Sequence, residues 1–293
     1  MSAASNKNSV VDHAKRIITT HFPEDIYATT VHRQEGKRPA VILTIYNRAL
    51  PPNEKMFSPH GFYCIRCQIY DSDPAMLHIG ILTRCGLSGT EHLKRLIAFS
   101  KALGLARITL EDESSIQYDT KEDATYSEHV VSLQQLHRLK TGHSWYEQFG
   151  FTNDAIRQRR DTIQAAIQQP MSLYSKELFY QVQDYVEMIL PDTPPLTPDL
   201  TISQAASYLD QCLRTICPNR RCYEEDDLDI VDDINHIIHE MYEGMLSWVG
   251  MKPEHFYFLE LTLQQQGSSR TRRQKTRRQK KARAMRRKHT QRV

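Results

Sequence analysis

One local succession constrains the fold of this 293-residue chain more than any other. Residues 76–83 (MLHIGILT) read as a strand, RCGLSGTEH supplies a glycine-bearing turn, and Leu93, Leu96, Ile97, Ser100 and Leu103 recur at helical spacing up to Gly104. ARITLED at 106–112 then returns to a strand pattern. A helix that links two strands in this way makes a βαβ unit. The sequence ahead of it has a different character. Val10, Val11, Ala14, Ile17 and Ile18 mark a helix at about 9–20, and runs rich in β-branched and aromatic residues follow at 27–33, 40–47 and 62–70, with Pro51, Pro52, Pro59 and Gly61 in the loop before the last of them. An antiparallel meander feeding a βαβ unit predicts a mixed sheet in an α+β domain.

Past that unit the pattern turns helical. DESSIQYDTKEDATYSEH reads as a long polar surface loop, VVSLQQLHRLKTG as a helix, and SWYEQFGF closes the segment at Phe151. Beyond it, helical spacing is found near 154–168, 174–190, 202–216 and 228–248, clearest in Ile230, Ile234, Ile237, Ile238, Met241 and Met245. The proline-rich PDTPPLTPD at 191–199 reads as a stiff connector. These shifts divide the chain at 1–151, 152–267 and 268–293.

The formal net charge of +3 hides the same division. Residues 1–151 sum to +1, residues 152–267 to −11, and residues 268–293 to +13, with 13 Lys/Arg and no acid in that last segment. Such a tail cannot build a core and is expected to be disordered when free. Three uses compete for it: binding nucleic acid or another polyanion, nuclear targeting, and contact with the acidic region of its own chain. The acidic EEDDLDIVDD at 224–233 has a sidedness that turns its carboxylates to water at a helix start, where they suit the dipole; a hard-cation site is the alternative.

No apolar run approaches the roughly 20 residues of a membrane span, and MSAASNKNSVVDH has no apolar signal core, so an intracellular protein with reduced thiols is expected. Cys64 and Cys67 form a C-x-x-C, but odd spacing on a strand sends the pair to opposite faces. Cys212, Cys217 and Cys222 can be drawn with His236 and His239 as a zinc site, yet helical spacing separates Cys212 from Cys217 by about 140°. No metal site is expected from either set.

A strand ending at a glycine turn that opens a helix offers free backbone N–H groups and a helix dipole to a phosphate. Here that turn is followed by a strand, a helix and then Trp145-Tyr146-x-x-x-Gly150-Phe151. This order resembles the GNAT-type N-acetyltransferase superfamily over roughly residues 60–151. ITLEDES, LQQLHRLKTG and SWYEQFGF together are also similar to uncharacterised GNAT-like proteins of large DNA viruses, many with basic tails.

The resemblance implies a viral acetyltransferase-like protein, in the host nucleus or the virion, that takes acetyl-CoA and an amine acceptor. It implies that the turn from Arg84 through Cys85, Gly86, Leu87, Ser88, Gly89 and Thr90 holds the cofactor pyrophosphate, with Arg84 and Gly89 matching the family pattern and Leu87 standing where its central glycine belongs. It further implies that Tyr146 is the acid that protonates the departing thiolate. Glu111 and Glu113, at the strand end, are the candidate bases, Asp112 facing the other way by alternation, and His78 is a weaker one. Two readings stay open: an acyltransferase, or an inactive GNAT-like scaffold whose tail binds nucleic acid.

Overall fold

A computed structural model describes residues 3–34, 40–48, 64–70, 75–82, 88–120 and 128–263. The tail at 268–293, the prolines Pro51, Pro52 and Pro59, and the turn residues Arg84, Cys85, Gly86 and Leu87 lie outside the described residues.

The chain is α+β. After α1 (Ala3–His21) come β1 (Tyr27–Gln34), β2 (Ala40–Asn47), β3 (Ile65–Tyr70) and β4 (Met76–Leu82), each antiparallel to the next. Helix α2 (Gly89–Ala102) then carries the chain to β5 (Arg107–Glu111), which pairs parallel with β4, so the meander and the βαβ unit share one mixed sheet. Alternation fixes its inner face. Leu43 and Ile45 on β2, Ile65, Cys67 and Ile69 on β3, and Ile108 and Leu110 on β5 are buried together, with Phe99 and Leu96 of α2 in the same core.

Three features depart from the sequence reading. The sheet has a sixth strand, β8 (Phe258–Thr262), antiparallel to β5 at the edge. It pairs because Leu259 and Leu261 alternate onto the core side, and it arrives about 150 residues after its partner. The segment after β5, expected to be loop only, forms a short ribbon of β6 (Ser115–Gln117) with β7 (Val130–Ser132), and Tyr118 beside it is buried. Helix α3 (Leu133–Thr141) therefore starts after the β-branched Val130-Val131, where Ser132 caps it by accepting from Gln135 N–H. The expectation of reduced thiols is also corrected. Cys217 and Cys222 are joined by a disulfide across the short turn at Pro218–Arg220, which brings their Cα atoms to 4.1 Å, and Cys64 is disulfide-bonded as well. Cys64 lies just ahead of β3, and it and the free Cys67 are both fully buried, so face parity does not govern that pair.

The remaining helices are α4 (Asp154–Ile167), α5 (Lys176–Ile189), α6 (Ile202–Ile216), α7 (Glu225–Val249) and the single turn α8 (Glu254–Tyr257). Helix α7 is their axis: Leu228, Val231, Ile234, Ile238, Met241 and Met245 form its buried stripe, while Glu225, Asp226, Asp229, Asp232 and Asp233 are exposed. Among the described residues no helix is long and apolar enough to cross a membrane, and no group of three or more His, Cys, Asp or Glu is gathered as a metal would require.

Candidate functional site

Strands β4 and β5 part near their C-terminal ends. Parallel pairing runs from Met76–Arg107 to Ile79–Leu110 and stops there. Beyond it β4 stays with β3 through Ile81 and Leu82, across a register shift between Arg66 and Cys67 that leaves Gly80 unmatched. That extra residue is a β-bulge, which bends and twists its strand. Strand β5 meanwhile stays with β8, Glu111 opposite Phe258, and Asp112 N–H donates to the Tyr257 carbonyl at 2.7 Å. Each strand is thus held only on its far side at the end where the turn begins.

The helix entered from that turn starts in the same place. Ser88 is its N-cap, with its hydroxyl accepting from Glu91 N–H at 3.2 Å. The cap reaches Glu91, leaving the N–H groups of Gly89 and Thr90 at the positive end of the helix dipole. A Cβ placed on Gly89 would lie 3.6 Å from Trp145 Cη2. Gly89 and Trp145, 56 residues apart in the sequence, are therefore neighbours.

Tyr146 is buried against Trp145 (ring centres 4.9 Å) and Phe151 (6.0 Å), and Gly150 ends the turn at φ 91°. Burial raises the Tyr146 pKa well above its ordinary value of 10, and the charge of Asp112 adds to the rise. Strand alternation places the three acids as expected, Glu111 and Glu113 exposed and Asp112 between them fully buried. Asp112, not either glutamate, is the acid whose charge reaches Tyr146. The alternation was legible in sequence; what lay on the inner side was not.

Asp112 Oδ1 accepts from Ser114 Oγ at 2.7 Å, while Oδ2 has no partner. Burial raises the Asp112 pKa; Ser114 and the nearby Arg138 pull it the other way. Arg138 is itself fully buried, Nη1 at 3.2 Å from Glu147 Oε1 and the guanidinium carbon 4.3 Å from the Phe256 ring centre. The second Glu147 oxygen meets His143 Nδ1 at 3.0 Å. Arg138 Nε and Nη2, Ser144 Oγ and Tyr242 Oη are also buried without a hydrogen bond. The Phe256 ring contacts both Arg138 and Tyr242, its centre 4.3 Å from the guanidinium carbon and 6.0 Å from the Tyr242 ring centre, so these two buried groups are near neighbours in the core.

The other candidates lie apart from these groups. Glu111 shares the opposite face of the sheet with His78, whose Nδ1 is 3.2 Å from Thr109 Oγ1 and whose ring stacks on Phe258. Burial lowers the His78 pKa and the Glu111 charge opposes that. Glu113 stands at the mouth of an open cleft of about 430 Å³ at the end of β5, bordered by Ser115, Gln134, Asn235, His239 and Tyr257. Asn235 carries no sequence signal beyond the polar stripe of an amphipathic helix, and His239 only the zinc pattern drawn with the cysteines; the cleft exists because β7 and α3 pack on α7.

No family model, curated protein or solved structure matches this chain.

Proposed function

We propose that this chain is an acetyl-CoA-dependent N-acyltransferase acting on an amine, built on a GNAT-type sheet. The observation that carries the reading is the parting of β4 and β5 beyond Ile79 and Leu110, beside the N-terminus of α2. A cofactor thioester is taken in through a gap of that kind, and a helix N-terminus beside it suits a pyrophosphate. Acetyl-CoA supplies an acyl group on sulfur, so that attack by an amine nitrogen forms the amide C–N bond as the C–S bond breaks.

The residues divide the remaining work. Ser88, Gly89 and Thr90 present backbone N–H groups at the helix start, with Arg84, Cys85, Gly86 and Leu87 completing the turn by their sequence positions. Glu113, exposed at the cleft, takes the proton the amine nitrogen loses. Glu111 is the alternative base and works from the other face with His78. Tyr146 keeps its proton, because both burial and Asp112 raise its pKa. A phenol held so far above an ordinary thiol, near 8.5, gives up that proton uphill. Its role is then to donate a hydrogen bond to the leaving sulfur, with the thiolate protonated from solvent.

Calorimetry of the full chain with acetyl-CoA tests the reading. Saturable binding that Tyr146→Phe leaves intact, with acyl transfer slowed about tenfold or more, supports it; absence of binding at millimolar ligand refutes it. One observation favours a second reading, a scaffold that holds nucleic acid: 13 basic residues and no acid in 268–293. On that reading, removal of 268–293 abolishes most DNA or RNA affinity and its steep salt dependence. An unchanged salt slope in the truncated protein overturns it.

A further inference from the structure

We propose that the cleft at the end of β5 binds a small hydroxylated primary amine of the amino-sugar class, in its cationic form. The acyltransferase reading bears only on what becomes of that amine; the recognition argument stands on the cleft.

The first constraint is charge. Glu113 borders the cleft, and among the described residues no Lys or Arg does. Asp232, one turn before Asn235 on α7, adds a second carboxylate nearby, paired with His129 at 2.9 Å. Among the described lining residues a phosphate or carboxylate ligand would meet the Glu113 carboxylate and no Lys or Arg, whereas an ammonium finds a partner in Glu113.

The second constraint is polarity. Serine hydroxyls and the amides of Gln134, Gln135 and Asn235 share the walls with apolar surface from residues such as Val130 and Tyr257, and a wholly apolar ligand would strip water from the polar groups without replacing it. The walls are also set in advance. Ser132 N–H donates to Asn235 Oδ1 at 3.2 Å, Gln134 Nε2 donates to the Phe256 carbonyl at 3.3 Å, and Gln135 Nε2 meets His239 Nδ1 at 3.2 Å. Each contact uses one end of a two-ended group. What remains toward a ligand is the Asn235 NH₂ donor, the Gln134 and Gln135 carbonyl acceptors and the His239 Nε2, a mixture that suits hydroxyls, which both donate and accept.

The third constraint is shape. Tyr257 is 38% exposed and borders the cleft, offering a ring for the C–H face of a pyranose. The side chains of Glu113 and Ser115 and the Tyr257 hydroxyl make no hydrogen bond to another described residue. About 430 Å³ is within the usual range for a small-molecule site.

The test is titration of the full chain, without acetyl-CoA, by glucosamine, glucose, glucuronate and spermidine. Glucosamine is expected to saturate, with glucose and spermidine at least about tenfold weaker and glucuronate not binding. Glu113→Gln should weaken glucosamine about tenfold at unchanged Tm, and Asn235→Leu should do so while leaving acetyl-CoA binding alone. Failure of glucosamine to saturate, equal binding of glucose or spermidine, or an unaffected Glu113→Gln protein each overturns the proposal. If acetyl-CoA binds and glucosamine does not, this proposal fails and the acyltransferase reading stands; if glucosamine binds and acetyl-CoA does not, the reverse holds.

Discussion

The two halves of the molecule bury different things. Among the described residues, the wholly buried residues with a polar or charged side chain fall before residue 145, namely Thr44, His92, Ser100, Thr109, Asp112, Gln134, Arg138 and Ser144, and just beyond them the Glu147 side chain is 2% exposed. The helical half, 152–263, buries single polar atoms such as Gln181 Oε1 and Tyr242 Oη but, among the described residues, no wholly buried Asp, Glu, Lys or Arg, although residues 152–267 carry a net charge of −11. Most of its acids lie on the water side of amphipathic helices, though the Asp210 side chain, paired with Lys140 and Arg214, is only 13% exposed, so most of its charge is separable from its stability. In the sheet half it is not. Asp112, Arg138 and Ser144 include buried atoms with no hydrogen bond, each a cost that packing elsewhere must offset. Groups kept in the interior at such a cost mark where function is to be sought, and they lie beside Tyr146 and the parted strands.

Arg138 is where the contrast breaks most sharply. Its guanidinium is fully buried, and so is its partner Glu147, at 2% side-chain exposure. Arg138→Met leaves the buried Glu147 carboxylate with His143 as its remaining partner and removes the packing on Phe256. A loss of about 3–5 kcal/mol is expected. Adding Glu147→Gln to that variant should restore a large part of it, because the penalty is the stranded charge. Urea denaturation of the single and double variants decides; a double variant no better than the single would mean that Arg138 acts through packing alone.

The helical half should respond to a different kind of change. Ile238, fully buried on α7, is expected to cost about 2–5 kcal/mol when cut to Ala, through lost contacts and a residual cavity. No second-site charge change should rescue it. The same urea measurement on Ile238→Ala with and without Glu147→Gln should give additive losses.

This difference also explains what could be read from sequence. In α7 the pattern and the outcome agree, since Ile234, Ile238, Met241 and Met245 sit at the spacing that names their face, and the run of acids before them is surface. Helix α6 (Ile202–Ile216) was legible to the residue for the same reason. Arg138 was not, because a basic residue in the last turn of a short helix reads as surface, and its burial is made by Glu147 and by Phe256, the latter 118 residues away. Strand β8 was missed likewise: Leu259 and Leu261 alternate, but their partners Leu110 and Ile108 are far upstream and no local turn announces them. Of the candidate site, the turn, the Tyr146 segment and the outward direction of Glu111 and Glu113 were legible; Asp112 beside Tyr146 and the cleft wall on α7 depended on long-range packing.

Asp112 gives a pH signature that the helical acids should lack. Its folded pKa is raised by burial, so it binds its proton more tightly in the folded than in the unfolded chain. Its contribution to stability is therefore greatest below the ordinary value of 3.8, declines as pH climbs from there through the folded pKa, and is level above it. Asp112→Asn has no proton to lose and can still accept from Ser114. The variant's Tm should match the wild type at pH 3 and exceed it by a constant margin once the wild-type carboxyl has ionised. A variant less stable than wild type at neutral pH would show that Arg138 and Ser114 outweigh burial, and would erase the difference drawn between the halves at this position.

The smallest effect is the one that most directly tests the outer charge of α7. Asp229 is exposed on the helix's water side, between the buried Leu228 and the half-buried Ile230. It lies near the helix start, where an acid gains a little from the dipole, and among other acids that repel it. These terms are similar in size and opposite in sign. Asp229→Asn is thus expected to move stability by no more than about 0.5 kcal/mol, and less still as salt screens both terms. A loss above that at low salt, vanishing at high salt, would mean that the carboxylate has a cationic partner. The basic segment 268–293 is the one stretch of the chain with charge enough to supply it, so repeating the measurement on protein ending at Gly267 would separate a partner in the tail from one on the folded surface.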